Sequence, residues 1–264
     1  MSEPIRTVLV VGATGSIGRL VVSEALAHGF KVRALVRDQA RAAALPAGTD
    51  LANGDLTDVE SLAGVVEGTD AVVFAHGSHG GGPSVTEAVD YGGVHNVLLA
   101  LAGRPVRIAL MTAIGVTVHD GGYNRASGAH DWKRRAERVV RASGNVYTIV
   151  RPGWFDYNDA DQHRIVMLQG DRRRAGDASD GVIARRQIAE VLVASLSSPA
   201  AARKTFELVA GKGPAQSDLG QVFAALQPDP RGNLDGVLDL GNFPLADEPV
   251  RVREQLEAIR NRTY

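Results

Sequence analysis

The sequence predicts an α/β fold in which a doubly wound parallel sheet carries helices on both faces. Short apolar runs alternate with segments of helical periodicity from about residue 7 to residue 210, which is the order that such a sheet requires. The first apolar run, at residues 7–11, ends in glycines at positions 12, 15 and 18, and a helical pattern follows at once. With 264 residues and 44% hydrophobic composition, the chain is long enough to bury one large core.

The composition excludes several kinds of function. A formal charge of -1, from 29 basic and 30 acidic residues, provides no overall field that would attract nucleic acid or an anionic membrane. The chain has no cysteine, so disulfides, thiolate metal sites and cysteine nucleophiles are excluded. No apolar run approaches the roughly 20 residues of a membrane-spanning helix. We therefore expect a cytoplasmic protein, monomeric or homodimeric, that acts on a small molecule and has no nucleic-acid or membrane partner.

The three glycines after the first strand predict a turn that binds phosphate. Gly12 would form the tight turn, Gly15 would let the backbone approach a pyrophosphate, and Gly18 would let the helix pack closely on its strand. The amide groups that open the helix would face the anion. A second strand at 31–36 completes a β–α–β unit, so the motif has the context of a Rossmann-type dinucleotide site.

The residues that follow the second strand indicate which dinucleotide fits. Arg37 stands where the adenosine ribose would lie, and a guanidinium pairs with a 2'-phosphate through its planar fork of donors. Asp38 indicates the opposite, because a carboxylate accepts a hydrogen bond from a free 2'-hydroxyl. The alternative is that Arg37 is a solvated surface residue and Asp38 caps a helix at 39–45. We favour NADP as the cofactor, with NAD as the alternative.

Two further segments extend the predicted cofactor edge. Asp55 follows a weak third strand and either accepts a hydrogen bond from the adenine amino group or caps the next helix. The strand at 70–74 exits through small residues at 75–77, which would let the backbone approach a cofactor. His76 and His79 have a spacing found in metal sites, but no third histidine or carboxylate lies nearby in the sequence, so we predict no metal.

The rest of the alternation completes the sheet. We predict helices at 59–66, 84–101, 127–142 and 181–197, and strands at 107–116, 146–153 and 205–210. Lys133 lies about 100° around its helix from the apolar Trp132, which can aim it along the sheet surface toward a cofactor. Its basic neighbours are expected to form a solvated face: Arg134, Arg135, Arg138 and Arg141.

The order of these motifs resembles one known family. The segments are GATGSIG (12–18), VRD (36–38), GDL (54–56), the Lys133 helix and ASGNVYTIVRPG (142–153). Together they resemble the NmrA-like NAD(P)-binding group of atypical short-chain dehydrogenase/reductases, over roughly residues 5–210. The resemblance implies that NAD(P) lies across the carboxyl edge of the sheet.

The resemblance also implies roles for particular residues. The pyrophosphate would be held by Gly12, Thr14, Gly15, Ser16 and Ile17. Arg37 would bind the 2'-phosphate, and Asp55 with Leu56 would bind the adenine. The ribose and nicotinamide would be lined by Ala75, His76 and Gly77. The reactive end would be surrounded by Thr112, Lys133 and the turn Pro152, Gly153, Trp154 and Phe155.

The chain departs from the family at the position that supplies a proton. Short-chain dehydrogenases usually place a tyrosine four residues before the helix lysine, and here that position is Ala129. Without the phenol, Lys133 keeps only its role in holding the ribose. The serine often found after the fifth strand is also missing, and Thr112 stands there. His130 and Tyr123 are the candidate replacement proton donors, and the candidate catalytic residues are Lys133, Thr112 and His130.

We expect a single NAD(P)-binding domain over residues 1–264. Its core would comprise 5–153 and 182–210, and a small substrate-facing lobe would comprise 154–181 and 211–264. Two amphipathic patterns in the tail would form this lobe, or alternatively an oligomer interface.

Three functions are consistent with these features. The first is hydride transfer from NAD(P)H to a small carbonyl, quinone or flavin acceptor, since proximity and orientation can accelerate a reaction that needs no strong general acid. The second, implied by the resemblance, is a non-catalytic NADP-sensing regulatory protein. The third is a sugar epimerase or dehydratase, which the missing tyrosine and the short lobe disfavour.

Overall fold

The central feature of the fold is an eight-stranded sheet. The computed structural model describes residues 4–78 and 81–262. The strands of the described residues are β1 (Thr7–Val11), β2 (Lys31–Val36), β3 (Thr49–Asn53), β4 (Ala71–Phe74), β5 (Arg107–Met111), β6 (Val146–Pro152), β7 (Trp154–Phe155), β8 (Arg164–Leu168), β9 (Val182–Ile183) and β10 (Lys204–Gly211). The sheet has the order β3-β2-β1-β4-β5-β6-β10-β8, in which only β8 is antiparallel to its neighbour, and β7 pairs with β9 separately.

Helices cover both faces of the sheet. In the described residues they are α1 (Gly18–Ala27), α2 (Gln39–Ala42), α3 (Ala63–Val66), α4 (Pro83–Thr86), α5 (Gly93–Leu101), α6 (Gly122–Ser127), α7 (Ala129–Ala142), α8 (Arg185–Ser197), α9 (Gly220–Ala224) and α10 (Val250–Arg260). Alternate residues of β1 face opposite layers, so α1 and α8 pack on one face and α5, α7 and α10 on the other. The predicted doubly wound sheet is confirmed. Among residues 4–78 and 81–262, we find no helix with the length and hydropathy that spanning a membrane requires.

The long helix predicted at 84–101 is interrupted. α4 continues into a wider π-helical segment at Glu87–Gly92 before α5 begins. A π-helical turn changes the direction of the side chains within it. Asp90 lies in this segment, and its side chain is buried. The apolar periodicity of the sequence does not indicate this change.

The helix predicted at 127–142 begins two residues later. Gly128 adopts a φ of +66, which separates α6 from α7. Glycine tolerates this left-handed conformation because it has no Cβ. Ala129 is therefore the first residue of α7, and its side chain is buried.

The segment 154–181 was predicted to belong to the substrate-facing lobe, but part of it belongs to the central sheet. Its apolar run forms β8, which pairs with β10 through Met167 opposite Leu208 and buries Ile165 in the main core. This part of the expected lobe is an edge strand of the central sheet. In the tail, α10 packs on α7 and buries Val252, Leu256 and Ile259.

The expectation that the arginines of α7 form a solvated face is wrong. All four are buried: Arg134, Arg135, Arg138 and Arg141. Each of them has at least one partner in the segment 229–248, which we call the strap. Arg138 donates to Asp235 at 2.7 Å and to Glu248 at 2.8 Å, and its guanidinium lies 4.9 Å from the centre of the Phe243 ring. The helical spacing of the arginines forms a binding surface for a distant acidic segment.

A buried ion network extends from the strap toward the sheet. Arg151 of β6 is fully buried and binds Glu137 at 2.9 and 2.7 Å and Asp239 of the strap at 2.7 Å. Burial would raise the pKa of Asp239, but the Arg151 guanidinium holds it well below its usual range. Burial raises the pKa of Glu207, a third carboxyl beside Arg151, to about 7.

Candidate functional site

The glycine-rich turn has the backbone geometry that its sequence predicts. Gly12 has a φ of +83, and a Cβ there would lie 2.8 Å from the backbone of His76. A Cβ on Gly18 would lie 2.0 Å from the carbonyl oxygen of Gly12, and the N–H of Gly15 donates to that same oxygen at 2.9 Å. The tight turn at Gly12 and the close packing at Gly18 are confirmed. The contact of Gly15 with a pyrophosphate stays a prediction.

The turn leaves amide groups unpaired where the helix opens. Within the described chain, the N–H groups of Thr14 and Ser16 donate no backbone hydrogen bond. These donors lie just before Ile17, the residue that precedes α1. Unpaired amides and the positive end of a helix dipole form an anion-binding site.

A cleft of about 640 Å³ lies along the carboxyl ends of the neighbouring strands. Nine of the predicted cofactor residues line it: Gly12, Thr14, Gly15, Arg37, Asp55, Leu56, Ala75, His76 and Gly77. The volume is that of an ordinary small-molecule or cofactor site. The fold therefore brings nine of the predicted residues into one cavity. The other predicted residues do not line it: Ser16, Ile17, Thr112, Lys133, Pro152, Gly153, Trp154 and Phe155.

The adenosine end distinguishes the roles of Arg37 and Asp38. Asp38 accepts a hydrogen bond from the Ala40 N–H at 2.9 Å and caps α2, as the alternative interpretation predicted. The Arg37 side chain is 67% exposed, and its Nη1 lies 4.0 Å from Oδ2 of Asp55. The Thr57 N–H bond to Asp55 is the largest influence on this carboxyl and lowers its pKa, so the carboxylate is stable beside Arg37. Arg37 lines the cleft, but its exposure also agrees with the alternative of a solvated surface residue, so its contact with a 2'-phosphate stays a prediction.

An ion pair holds Lys133 close to Gly77, one of the residues that line the cleft. Its Nζ donates to Oδ1 of Asp90 at 2.9 Å, and it would lie 3.7 Å from a Cβ on Gly77. The Asp90 carboxylate also accepts the hydroxyl of Ser78 at 2.8 Å and its N–H at 3.1 Å. The π-helical segment thus supplies the anchor that fixes the lysine beside the cleft.

His76 is a half-buried, neutral imidazole. Burial lowers its pKa to about 4, although the nearby Asp90 carboxylate favours the charged form. Its Nε2 donates to the carbonyl oxygen of Val89 at 3.0 Å, so Nδ1 carries the lone pair, and that buried atom has no partner in the described residues. The second histidine of the pair considered for a metal, His79, lies outside the described residues.

The predicted catalytic residues have different surroundings. The hydroxyl of Thr112 donates to Glu137 at 2.8 Å, within the buried ion network. His130 lies 3.5 Å from the carbonyl oxygen of Val118, beyond a good hydrogen bond, and burial lowers its pKa. The catalytic roles of Thr112, His130 and Lys133 stay predictions.

The turn after β6 is arranged around close backbone contacts. A Cβ on Gly153 would lie 2.4 Å from the carbonyl oxygen of Gly181, and the Pro152 carbonyl oxygen accepts the Ile114 N–H at 3.0 Å. The Trp154 side chain is exposed, while Phe155 is half-buried beneath the guanidinium of Arg185 at 5.1 Å.

Three residues of this region were missed by sequence reasoning: Ser78, Asp90 and Arg185. A signal for Asp90 exists, because it falls on the same helical stripe as the buried Val94 and Val97. A carboxylate at a core position usually has a charged partner. Ser78 and Arg185 carry no comparable signal, since polar residues are ordinary in loops and at helix starts.

Comparison with known proteins agrees with this geometry. The NAD(P)H-binding family matches residues 12–199 of the chain. Sanguinarine reductase of Eschscholzia californica is 27% identical to this chain. The alignment has a length of 261 and covers 83% of this chain and 95% of that protein.

Solved structures show the same fold. A protein of Bacillus halodurans, named as a candidate NAD-dependent epimerase/dehydratase, is 25% identical with a TM-score of 0.69, over 84% of this chain and 100% of that chain. A short-chain dehydrogenase/reductase of Veillonella parvula in complex with NADP is 16% identical with a TM-score of 0.58, over 78% and 95%. The chain belongs to the NAD(P)H-binding family, the NmrA-like atypical short-chain dehydrogenase/reductases that its motif spacing predicts.

Proposed function

We propose that the protein is an NADPH-dependent oxidoreductase that transfers hydride to a small carbonyl, quinone or flavin acceptor. The observation that carries this proposal is the cleft at the carboxyl edge of the sheet. Its lining includes Arg37, whose guanidinium is exposed, and Gly77, beside which Lys133 is held.

The residues of the cleft fit a dinucleotide. The glycine at position 12 keeps the backbone of the turn against His76, and the amides of Thr14 and Ser16 are free to donate to a pyrophosphate. Arg37 would bind the 2'-phosphate, and Lys133 would bind the ribose hydroxyls from its position beside Gly77. When bound, NADPH supplies the hydride.

The surroundings of the reactive end favour an acceptor that needs no strong general acid. Ala129 occupies the position of the usual tyrosine, and its side chain is buried. His130 has a lowered pKa and is neutral near pH 7, so it is a poor proton donor there. Quinones and flavins fit these conditions best, because positioning of the two reactants can supply much of the rate acceleration.

The relatives support the reductase class. Sanguinarine reductase is a reductase by name and aligns along most of both chains. The Bacillus halodurans protein carries an epimerase/dehydratase name. We rank that activity lower, because a sugar epimerase of this family type uses the tyrosine that Ala129 replaces.

The second candidate function is an NADP-sensing regulator that does not turn over. The specific observation that favours it is again the missing phenol, together with the ion pair between Lys133 and the buried Asp90 carboxylate. Both features preserve cofactor binding while removing the usual proton chemistry.

A turnover assay separates the two functions. Purified protein is titrated with NADPH by fluorescence, and oxidation of NADPH is then followed by absorbance with quinones, flavins and aldehydes as acceptors. The oxidoreductase proposal expects saturable oxidation with at least one quinone or flavin, and Lys133→Met should raise KM for NADPH. Binding without oxidation across the whole panel would favour the regulator.

Arg37→Ala tests the choice of NADP over NAD. We expect the substitution to weaken NADPH binding about 10- to 100-fold and NADH binding less than about threefold, because only NADPH carries the phosphate that pairs with the guanidinium. The measurement is the Kd of each nucleotide by fluorescence titration. Arg253→Ala, which removes an exposed arginine from α10, is the matched control. Equal weakening of NADPH and NADH would refute the 2'-phosphate assignment.

A further inference from the structure

Arg185, the first residue of α8, lies against the phosphate-binding turn. Its Nε donates to the hydroxyl oxygen of Ser16 at 3.2 Å, although 169 residues separate the two in sequence. Ser16 is one of the two residues whose amides are unpaired at the opening of α1. An anion bound by those amides would therefore lie within reach of the Arg185 guanidinium.

The charge of Arg185 is currently balanced by one carboxylate. Asp156 accepts the backbone N–H of Arg185 at 3.0 Å, and its other oxygen pairs with Nη1. Asp156 has a φ of +60, a conformation that non-glycine residues rarely adopt and that costs free energy. This backbone turns the carboxylate back onto α8 and onto the guanidinium.

The Arg185–Asp156 pair is weakly held compared with the pair that a phosphate would form. The side chains of Arg185 and Asp156 are 35% and 47% exposed, and exposed ion pairs contribute little to stability. A pyrophosphate offers a guanidinium several charged acceptors in a geometry that it binds well. Exchange of Asp156 for a pyrophosphate is therefore favourable once a dinucleotide occupies the turn.

Phe155 limits where the guanidinium can move. The Arg185 guanidinium lies 5.1 Å from the centre of the Phe155 ring, so a cation–π contact keeps it between the turn after β6 and the glycine-rich turn. These are the elements predicted to hold the nicotinamide end and the pyrophosphate.

We propose that Arg185 is a cofactor-binding residue whose guanidinium leaves Asp156 and binds the pyrophosphate of a dinucleotide seated on the glycine-rich turn. The inference rests on the proposed function for its cofactor. It adds a second element, α8, to the site that the turn and the amides of α1 form.

The test compares two ligands and three variants. NADPH contains the pyrophosphate, whereas adenosine 2'-monophosphate keeps the adenine and the 2'-phosphate without it. We expect Arg185→Gln to weaken NADPH binding about 10- to 100-fold and to leave adenosine 2'-monophosphate unchanged. Arg186→Gln, at the exposed neighbouring position, should change the affinity for neither ligand. Asp156→Asn, which keeps an acceptor for the Arg185 N–H, should bind NADPH at least as tightly as the wild type.

Three outcomes would overturn the proposal. Arg185→Gln could bind NADPH as tightly as Arg186→Gln does, or it could lose both ligands equally. Arg185→Gln and Asp156→Asn could also weaken NADPH binding equally and lower the Tm of the unliganded protein equally. The role of the Arg185–Asp156 pair would then be purely structural.

The proposed function fails separately from this inference. A wild-type protein that binds NADPH but oxidises it with no acceptor contradicts the oxidoreductase while leaving the Arg185 result valid.

Discussion

Replacement of Arg151 by methionine is expected to lower the free energy of unfolding by about 3–5 kcal/mol near pH 8. The guanidinium is fully buried and binds Glu137, Asp239 and Glu207. Its removal leaves these carboxylates buried without their main counterion, and the desolvation of an unpaired charge is costly. Urea unfolding followed by tryptophan fluorescence measures the loss.

The pH dependence of this loss identifies its cause. Burial already raises the pKa of Glu207 to about 7, and it would raise that of Asp239 once the Arg151 guanidinium that lowers it is removed. A group with a raised folded pKa contributes stability below its unfolded pKa and loses it as pH rises. The difference in the free energy of unfolding between the wild type and Arg151→Met should therefore be smaller at pH 5 than at pH 8.

Arg164→Met is the control for this prediction, because it removes an exposed arginine from β8 and should change stability by less than about 0.5 kcal/mol. Arg151→Met could lose no more free energy of unfolding than Arg164→Met does, or its loss could be independent of pH. Either result would show that the ion network does not stabilise the fold.

Gly18→Ala is expected to weaken NADPH binding about tenfold to a hundredfold and to lower the Tm. The new Cβ would lie 2.0 Å from the Gly12 carbonyl oxygen, so the backbone must move. Because the Gly15 N–H donates to the same oxygen, the movement distorts the whole phosphate-binding turn. Fluorescence titration and thermal unfolding of the unliganded protein measure the two effects.

Gly64→Ala provides the matched control. Gly64 lies in α3 with a negative φ, and a Cβ there has no neighbour within 4 Å. Alanine is the better helix former, so we expect unchanged affinity and unchanged or slightly increased stability. If Gly18→Ala binds NADPH as well as Gly64→Ala does, the turn tolerates movement and is not the pyrophosphate site.

Local spacing predicted much of the fold and the wall of the cleft. The strands at 7–11 and 31–36 have the predicted bounds, and nine of the eleven residues predicted between Gly12 and Gly77 line one cavity, Ser16 and Ile17 being the exceptions. Each of these features depends on residues a few positions apart, or on the rule that parallel strands end at the same edge of a sheet. The place of Arg37 in the lining of the cleft likewise follows from its position directly after β2.

Features that depend on distant partners were not predictable. The arginines of α7 have the pattern of a solvated face until the strap, about a hundred residues later, supplies carboxylates and Phe243. The pairing of Asp90 with Lys133 joins the π-helical segment to α7, and β8 required β10 as its neighbour.

The sequence by itself determined the doubly wound sheet, the dinucleotide turn and the loss of the family's tyrosine at Ala129. The tertiary structure alone decided which charges are buried, what anchors Lys133 and what cation faces the phosphate turn at Ser16. The physical reason is that periodicity and turn geometry are properties of neighbouring residues. The free energy of a charge, by contrast, depends on its burial and on partners that only the folded chain brings near.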